Sequence, residues 1–380
     1  MSGMSDQDRG AKREDLASLA RSSVELIARL QDASGAYPAS PTFSAYRGYC
    51  WFRDGAFIAE GMSAAGSVDS ATRFFDWCAR IVDSRAGHIV TIVDRAAAGD
   101  PVPAAEMMPT RFTYDGDDGD DDWWDFQLDG YGTWLWAVVE HSRRHGLDLG
   151  RWRSAIELTV DYLASSWSRP CFDWWEEHPD QVHVSTLGCI AAGMRAVASS
   201  GVLDEERGER AVRVASEASR LILDGGVADG HLAKWIGDTA VDASLLAILA
   251  PLEVVAPTSP LGIATISAVD GQLNVGGGVH RYLEDTFFGG GQWPLLSCLL
   301  GLNFSAAGMQ DRAFDQLVWA AGTADDSGLL SEQVPWHLLD ATRRQEWVDR
   351  WGAVATPLLW SHAMYVRLAV ELGVVEGTVP

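Results

Sequence analysis

The sequence is poor in basic residues and cysteine, and it has no long apolar segment. It has only 29 Lys and Arg against 53 Asp and Glu, for a formal net charge of −24. A surface this acidic repels phosphate polyanions and anionic lipids, so we expect neither nucleic acid nor membrane as a partner. No run reaches the ~18 apolar residues of a membrane span. The polar amino terminus also lacks the apolar core of a secretion signal.

The five cysteines are scattered and odd in number, and no two have C-x-x-C spacing. This pattern predicts buried free thiols in a cytoplasmic protein rather than a secreted disulfide framework. No metal-ligand cluster or cofactor motif stands out, so we expect no metal and no cofactor. Because the negative charge disfavours anionic partners, the expected ligands are neutral or cationic. The 17 tryptophans offer flat faces that suit sugar rings, although a Trp-rich core is the alternative.

Apolar residues recur at helical spacing in twelve segments, which predicts an all-α protein. Strand-like alternation is confined to short pieces such as residues 88–94 and 107–114. Two helix starts have their own signals: Asp204 precedes two glutamates, and Ser259 precedes a proline. The predicted helices are residues 14–30, 54–65, 70–84, 130–144, 150–166, 185–199, 204–223, 239–250, 259–269, 291–304, 306–320 and 357–372.

Long and short connections alternate strictly between these helices. In a stack of helical hairpins alternate loops emerge at the same end, so all the long loops would meet on one face, where function concentrates. A repeat of roughly sixty residues is too long for common two-helix solenoids. We therefore predict a six-hairpin (α/α)6 toroid over residues 14–375, a single catalytic domain with its active site at the long-loop end, preceded by a flexible tail at 1–13. The long loops are residues 31–53, 85–129, 167–184, 224–238, 270–290 and 322–356.

Five of these six loops contain Trp together with carboxylates or Arg. Aromatic platforms and hydrogen-bonding charges that converge on the mouth of a toroid are typical of a pocket for a polyhydroxyl ligand, and a sugar is the natural class. Chemistry in such a pocket would use paired carboxylates. A glycosidase needs one carboxyl as a general acid and a second as base or nucleophile.

The motifs in these loops resemble those of the glucoamylase family, glycoside hydrolase family 15. Asp-Trp-Trp-Glu-Glu at 173–177 resembles the general-acid segment, and Glu176 falls on the acid. Ser-Glu-Gln at 331–333, followed by Leu-Trp-Ser-His-Ala at 359–363, resembles the segment of the general base, and Glu332 falls on that base. Three further segments match the family: Trp-Phe-Arg-Asp at 51–54, Gln-Leu-Asp-Gly at 127–130 and Arg-Tyr-Leu-Glu-Asp-Thr-Phe-Phe at 281–288.

The resemblance implies an inverting reaction that releases β-glucose. Glu176 would protonate the departing oxygen while Glu332 deprotonates an attacking water, with the two carboxyls about 6.5 to 9.5 Å apart. Without the family context, Glu176 could belong to a solvated acidic stretch before a helix, and Ser331 could be a simple cap. The substrate-binding residues that the resemblance implies are Trp51, Arg53, Asp54, Asp129, Trp175, Glu177, Arg281, Phe287 and Trp360.

The chain also departs from the family pattern. The predicted toroid leaves no room for the β-sandwich domain or carbohydrate-binding module of many members, so we expect a small neutral oligosaccharide as substrate, as in the isomaltose-hydrolysing branch. A trehalase or a maltooligosaccharide glucoamylase is the alternative within the same chemistry. A carbohydrate-binding protein without turnover is the alternative from another class. The sequence does not predict the oligomeric state.

Phe287 stands where the family usually has a tyrosine beside the tyrosine of the first loop, which is Tyr46 here. Loss of that hydroxyl would leave the Tyr46 phenol with one partner fewer. Tyr46 would then be freer to orient the attacking water or to act as a second base. This hypothesis predicts a pH profile that departs from the bell shape of one acid and one base.

Overall fold

A computed structural model describes residues 6–121, 123 and 126–377, and helices dominate this part of the chain. The α-helices are α1 (Asp6–Leu30), α2 (Phe52–Ala64), α3 (Val68–Ser84), α4 (Ala86–Ala97), α5 (Asp129–His145), α6 (Arg153–Ser166), α7 (Val184–Ser200), α8 (Glu205–Gly225), α9 (Leu245–Leu249), α10 (Pro260–Leu273), α11 (Pro294–Ala306), α12 (Gln310–Ala321), α13 (Arg344–Trp351) and α14 (Leu359–Glu371). The β-strands are β1 (Tyr49–Trp51), β2 (Arg111–Thr113), β3 (Val227–Ala228), β4 (His231–Leu232), β5 (Asn274–Val275) and β6 (Gly278–Val279).

Six helices form a closed inner ring. Helix α2 contacts α5, which contacts α7, and the contacts continue through α9, α11 and α14 back to α2. Between successive inner helices, the chain passes through an outer helix, which is α3, α6, α8, α10 or α12, and α1 packs on α14 where the ring closes. Two further helices interrupt this alternation: α4 follows α3 and packs on α6, and α13 follows α12. The predicted six-hairpin toroid is confirmed.

The inner helices are buried around most of their circumference, as expected for helices enclosed by others, and in α2 this burial includes Arg53, Asp54 and Glu60. Every residue of α2, α9 and α14 up to Val366 is buried. Close approach of α5 and α7 depends on two glycines, because a Cβ on Gly193 would collide with the carbonyl oxygen of Gly132. By contrast, α3 and α8 are buried on one face only, which identifies the outer layer.

The strands lie in the connections that precede inner helices, so they gather at one end of the ring. β1 pairs antiparallel with β2, with Cys50 opposite Phe112, while β3 with β4 and β5 with β6 form short hairpins. The side chain of Asp204 caps α8 and that of Ser259 caps α10, as predicted. All five cysteines are free and buried, also as predicted. In the described part of the chain, no helix combines the length and apolarity needed to cross a bilayer.

Several local predictions were wrong. Residues 88–94 are not a strand but part of α4, where Ile89 and Ile92, three residues apart, are the buried positions. The helix predicted at 239–250 is reduced to α9, because residues 239–244 turn to place Asp242 beneath the loop end. The last long loop contains α13. Helix α1 begins at Asp6, so part of the predicted tail is helical, and residues 1–5 lie outside the described residues.

Candidate active site

A cavity of about 280 Å³ opens at the end of the ring where the long connections meet. Five of the six connections contribute to its wall, together with the first turns of α2 and α14. The wall is mostly aromatic, with carboxylates and arginines interspersed. Its principal residues are Phe43, Tyr46, Trp51, Arg53, Asp54, Trp123, Trp174, Trp175, Glu176, Glu177, Arg281, Phe287, Trp293, Glu332, Trp347, Arg350, Trp351 and Trp360.

The inner helices begin at this end of the ring. Arg53 and Asp54 lie in the first turn of α2, Asp129 is the first residue of α5, and Trp360 is the second residue of α14. Because the amino-terminal ends of helices are the positive ends of their dipoles, the ring favours carboxylates here. Asp54 and Asp129, in the first turns of α2 and α5, lie in this positive potential.

The closed end of the cavity is built around Arg53. Its Nη1 donates to Gln127 Oε1 at 2.6 Å and to Asp129 Oδ2 at 3.2 Å, and its guanidinium lies 5.9 Å from the ring of Trp360. Asp54 Oδ2 lies 3.3 Å from Arg53 Nε but has no hydrogen bond among the described residues. Burial raises the pKa of Asp54 to about 6, although the Arg53 charge opposes the shift. The closed end thus keeps an acceptor available.

Asp129 lies one layer behind the cavity wall. It is fully buried and makes its contacts to Arg53 and to the backbone N–H of Gly130. Asp129 therefore orients Arg53 and does not itself line the cavity.

Glu176 projects from a tight turn made by residues 173–177. Asp173 Oδ1 accepts hydrogen bonds from the backbone N–H groups of Trp175 and Glu177, each at 2.9 Å. Between them Glu176 has φ +64°, in the left-handed region that a non-glycine residue rarely adopts. The side chain of Asp173 therefore holds an unfavourable backbone conformation that aims Glu176 into the cavity.

Three N–H donors fix the carboxyl of Glu176. Trp51 Nε1 and Gln127 Nε2 donate to Oε1 at 2.6 and 3.0 Å, and Trp123 Nε1 donates to Oε2 at 3.0 Å. From the described residues, Oε1 thus accepts two hydrogen bonds and Oε2 accepts one. A proton carried by this carboxyl therefore belongs on Oε2.

A buried ionic cluster lies beneath the turn. Lys234 Nζ lies 3.3 Å from Asp242 Oδ2 and 3.9 Å from Asp173 Oδ2, and Asp242 also accepts a hydrogen bond from Trp175 Nε1 at 2.9 Å. Burial raises the pKa of Asp173 to about 7, and the Lys234 charge works against that rise. The cluster couples the acid turn to the connection before α9.

Glu332, unlike Glu176, is deeply buried and accepts few hydrogen bonds from the described residues. Its side chain is only 2% exposed, its backbone N–H donates to Ala355 O, and Tyr46 Oη donates to Oε1 at 2.9 Å. Oε2 has no hydrogen-bond partner in the described part of the chain. Burial raises the pKa of Glu332 to about 8, while the Tyr46 hydrogen bond and the Arg281 charge lower it.

Tyr46 and Trp51 connect the two glutamates. Their rings meet edge to face with centroids 5.5 Å apart, and each binds one of the carboxyls, Trp51 that of Glu176 and Tyr46 that of Glu332. Burial and the charges of both glutamates raise the pKa of Tyr46 well above its ordinary value, so the phenol keeps its proton and donates it.

Arg281 anchors a third side of the cavity. Its guanidinium forms a bidentate pair with buried Asp285 and lies 3.6 Å from Glu177 Oε1. It also lies 5.2 Å from the ring centroids of both Trp175 and Phe287. The other carboxyl oxygen of Glu177 accepts a hydrogen bond from the Tyr282 hydroxyl. The ion pairs with Asp285 and Glu177 therefore fix Arg281 beside the Trp175 and Phe287 rings.

The structure brings together every residue that the sequence singled out, with Asp129 behind the wall and the others in it. Sequence reasoning missed Phe43, Trp293 and the α13 residues Trp347, Arg350 and Trp351. The four-residue spacing of Trp347 and Trp351 is the signal that could have identified this helical face. Nothing in the local sequence marks Trp293 as a wall residue.

Two carboxyls on one aromatic cavity, closed at one end by an arginine–aspartate pair and set at the loop end of an (α/α)6 ring, define a glycoside hydrolase. The chain belongs to the glycosyl hydrolases family 15, whose family model matches residues 14–300. It is therefore a glycoside hydrolase, as the motifs in the long loops predicted.

Similar proteins agree with this assignment. An isomaltose glucohydrolase from Kribbella flavida is 53% identical over 374 residues, covering 97% of each chain. A solved wild-type glycosidase structure is 51% identical with a TM-score of 0.95, and it covers 98% of this chain and 100% of its own. A bacterial glucoamylase complexed with acarbose has a TM-score of 0.73 at 22% identity, covering 94% of this chain and 56% of its own, which shows the shared fold alone.

Proposed function

We propose that this protein is an inverting exo-α-glucosidase that releases β-glucose from the non-reducing end of isomaltose and short α-1,6-linked oligosaccharides. The observation that carries the proposal is the pairing of Glu176 and Glu332 on a cavity whose far end is closed by Arg53 and Asp54. A closed end admits a chain terminus and no more, which favours exo-hydrolysis. The isomaltose glucohydrolase from Kribbella flavida supports the linkage.

In the proposed reaction, Glu176 Oε2 gives its proton to the glycosidic oxygen as the bond from that oxygen to C1 breaks. A water attacks C1 from the opposite face and loses a proton to Glu332. The unpartnered Oε2 of Glu332 suits this step, because it can accept the water hydrogen without breaking an existing bond. The Asp54 Oδ2 and Arg53 Nε atoms, both without hydrogen bonds in the described residues, suit hydroxyls of the terminal ring.

Tyr46 extends this scheme. Its hydroxyl donates to Glu332 Oε1, so it can orient the attacking water or accept the water proton while passing its own to Glu332. Arg53, Asp54 and Arg281 orient the terminal ring, with Asp129 behind Arg53, and Trp51, Trp175 and Trp360 shape its pocket. Glu177 and Phe287 also line the cavity. We also propose the six-hairpin ring, residues 14–375, as the catalytic domain. The five free cysteines support a cytoplasmic location.

A proton NMR time course on equal amounts of isomaltose, maltose and trehalose tests the proposal. We expect isomaltose to disappear fastest and β-glucose to appear first. Faster loss of maltose or trehalose would keep the mechanism and change the substrate to that of a glucoamylase or a trehalase. Initial α-glucose would contradict inversion, and no turnover would favour a carbohydrate-binding protein.

A further inference from the structure

Helix α13 presents one face to the cavity. It lies outside the inner ring and packs on the 3₁₀ turn Phe287–Gly289. Trp347, Arg350 and Trp351 line the cavity at positions i, i+3 and i+4, which share one side of a helix. No other described α-helix outside the inner ring contributes cavity-lining residues. This arrangement gives α13 a place in the site that the mechanism does not use.

The α13 face lies at the open end of the cavity. Arg53, Asp54 and Trp360 at the closed end are only 4%, 8% and 3% exposed, whereas Trp347 and Trp351 are partly exposed and Arg350 is exposed. In the proposed exo-reaction the terminal ring occupies the closed end. The sugar unit that departs must therefore lie toward the mouth, beside α13.

The chemistry of this face suits a sugar. The Arg350 guanidinium lies 4.9 Å from the Trp351 ring and 5.6 Å from the Trp347 ring. Arg53 and Arg281 at the same cavity are both paired with carboxylates, but Arg350 has no ion pair among the described residues. Its N–H donors are therefore available to hydroxyl groups, and the flanking indoles offer faces for C–H groups.

The α13 face is fixed to the cavity wall. The Trp351 ring lies 6.3 Å from the ring of Phe43, which comes from the first long connection and is only 4% exposed. Trp351 is therefore held in place by packing on a buried ring of the wall.

We propose that Trp347, Arg350 and Trp351 form the binding surface for the departing sugar, and that Arg350 is a specificity-determining residue that recognises its hydroxyls. This inference rests on the proposed exo-glucosidase function. It predicts that Arg350 acts on substrates whose leaving group is a sugar and not on substrates whose leaving group is a single atom.

The test compares isomaltose with α-glucosyl fluoride, whose leaving group cannot reach α13. For Arg350→Leu we expect the ratio of kcat/KM on isomaltose to kcat/KM on the fluoride to fall about tenfold, the effect of losing a charged hydrogen bond. Arg343→Leu is the matched control, because Arg343 is an exposed arginine just before α13 that pairs with Glu346. That variant should leave the ratio unchanged.

An unchanged ratio in Arg350→Leu would overturn the proposal, whether both activities fall together or neither falls. Trp351→Ala is a second test. It should also lower the ratio of kcat/KM on isomaltose to that on α-glucosyl fluoride, because it removes the ring beside the Arg350 guanidinium. If the wild-type protein hydrolyses neither substrate, the proposed function fails instead. The two failures are therefore distinguishable.

Discussion

The two carboxyls of the cavity are held in opposite ways. Glu176 projects from a turn in a left-handed conformation and receives three N–H hydrogen bonds. Glu332 is deeply buried, receives one hydroxyl hydrogen bond, and keeps one oxygen without a partner in the described residues. The acid side is thus rich in donors, and the base side is poor in them.

This difference matches the two proposed tasks. A general acid must present its proton to one oxygen atom of the substrate, so its orientation matters most, and three donors fix the carboxyl of Glu176. A general base must have an oxygen available to a water, and the unpartnered Oε2 of Glu332 meets that need. Burial raises the pKa of this carboxyl to about 8, so Glu332 acts as a base only in the molecules in which it is ionised, and that fraction grows as the pH rises.

The largest expected effect separates the acid from the base. We expect Glu176→Gln and Glu332→Gln each to lower kcat on isomaltose by about 10³-fold, the usual contribution of a general acid or base. Fluoride leaves without protonation, so Glu176→Gln should keep most activity on α-glucosyl fluoride and Glu332→Gln should not. Steady-state kinetics on both substrates measure this. Loss of fluoride hydrolysis in Glu176→Gln alone would reverse the two assignments.

The next effect concerns the turn that aims the acid. Asp173→Ala removes the two hydrogen bonds that hold Glu176 at positive φ. We expect kcat/KM on isomaltose to fall about 10- to 100-fold, since small misplacements of a catalytic group cost that much. The kcat/KM on α-glucosyl fluoride, whose hydrolysis does not need the acid, should fall far less. Asp173→Asn, which keeps the accepting oxygen, is the control, and an equal loss in that variant would show that charge rather than turn geometry matters.

A third effect is on stability and concerns the base side alone. The pKa of Glu332 is raised from 4.5 to about 8 in the folded protein. The folded state therefore binds this proton more tightly than the unfolded chain does, and the free energy of unfolding declines as the pH rises from 4.5 toward 8. The neutral Glu332→Gln variant avoids this loss.

Glu332→Gln should therefore be nearly inactive yet more stable than wild type, by on the order of 4 kcal/mol at pH 8 and by much less near pH 5. Thermal unfolding at the two pH values measures the difference. Glu176→Gln is the comparison variant, because that carboxyl is partly exposed and accepts three N–H hydrogen bonds. A gain at both pH values alike would show that burial of the charge is not the cause.

The ring could be predicted from the sequence because two independent patterns agree. Helical spacing of apolar residues identifies the helices, and alternating loop lengths place all long loops at one end. The proposed acid and base roles followed from the family motifs around Glu176 and Glu332, and like the roles below they await kinetic tests. The predicted roles of the remaining site residues are proposals that the kinetics of variants must test.

Helix boundaries could be predicted from the sequence only where a side chain bonds to its own helix, as Asp204 and Ser259 do at their caps. Residues 88–94 alternate like a strand, yet packing on α6 makes them helical, so tertiary contacts override a weak β-propensity. Residues 239–244 leave the predicted helix because Asp242 accepts the Trp175 indole N–H. The segment of α13 is mostly polar, and although the spacing of Trp347 and Trp351 marks one side of the helix, its contact with the turn at Phe287 places that side at the cavity. Each error involves a partner distant in sequence.

The smallest expected effect is on the shape of the pH profile. Tyr46 donates to Glu332 and has rings rather than a second hydroxyl as its aromatic neighbours, Phe43 and Trp51. Phe287→Tyr would add a hydroxyl to the cavity wall, which Tyr46 also lines, and the family resemblance implies that this hydroxyl binds Tyr46 and holds it away from the attacking water. We expect the wild-type profile of kcat/KM to depart from a two-group bell and the variant profile to approach one, with a few-fold change in maximal rate. Phe287→Leu, which adds no hydroxyl, is the control, and identical profiles for Phe287→Tyr and wild type would exclude Tyr46 as a second base.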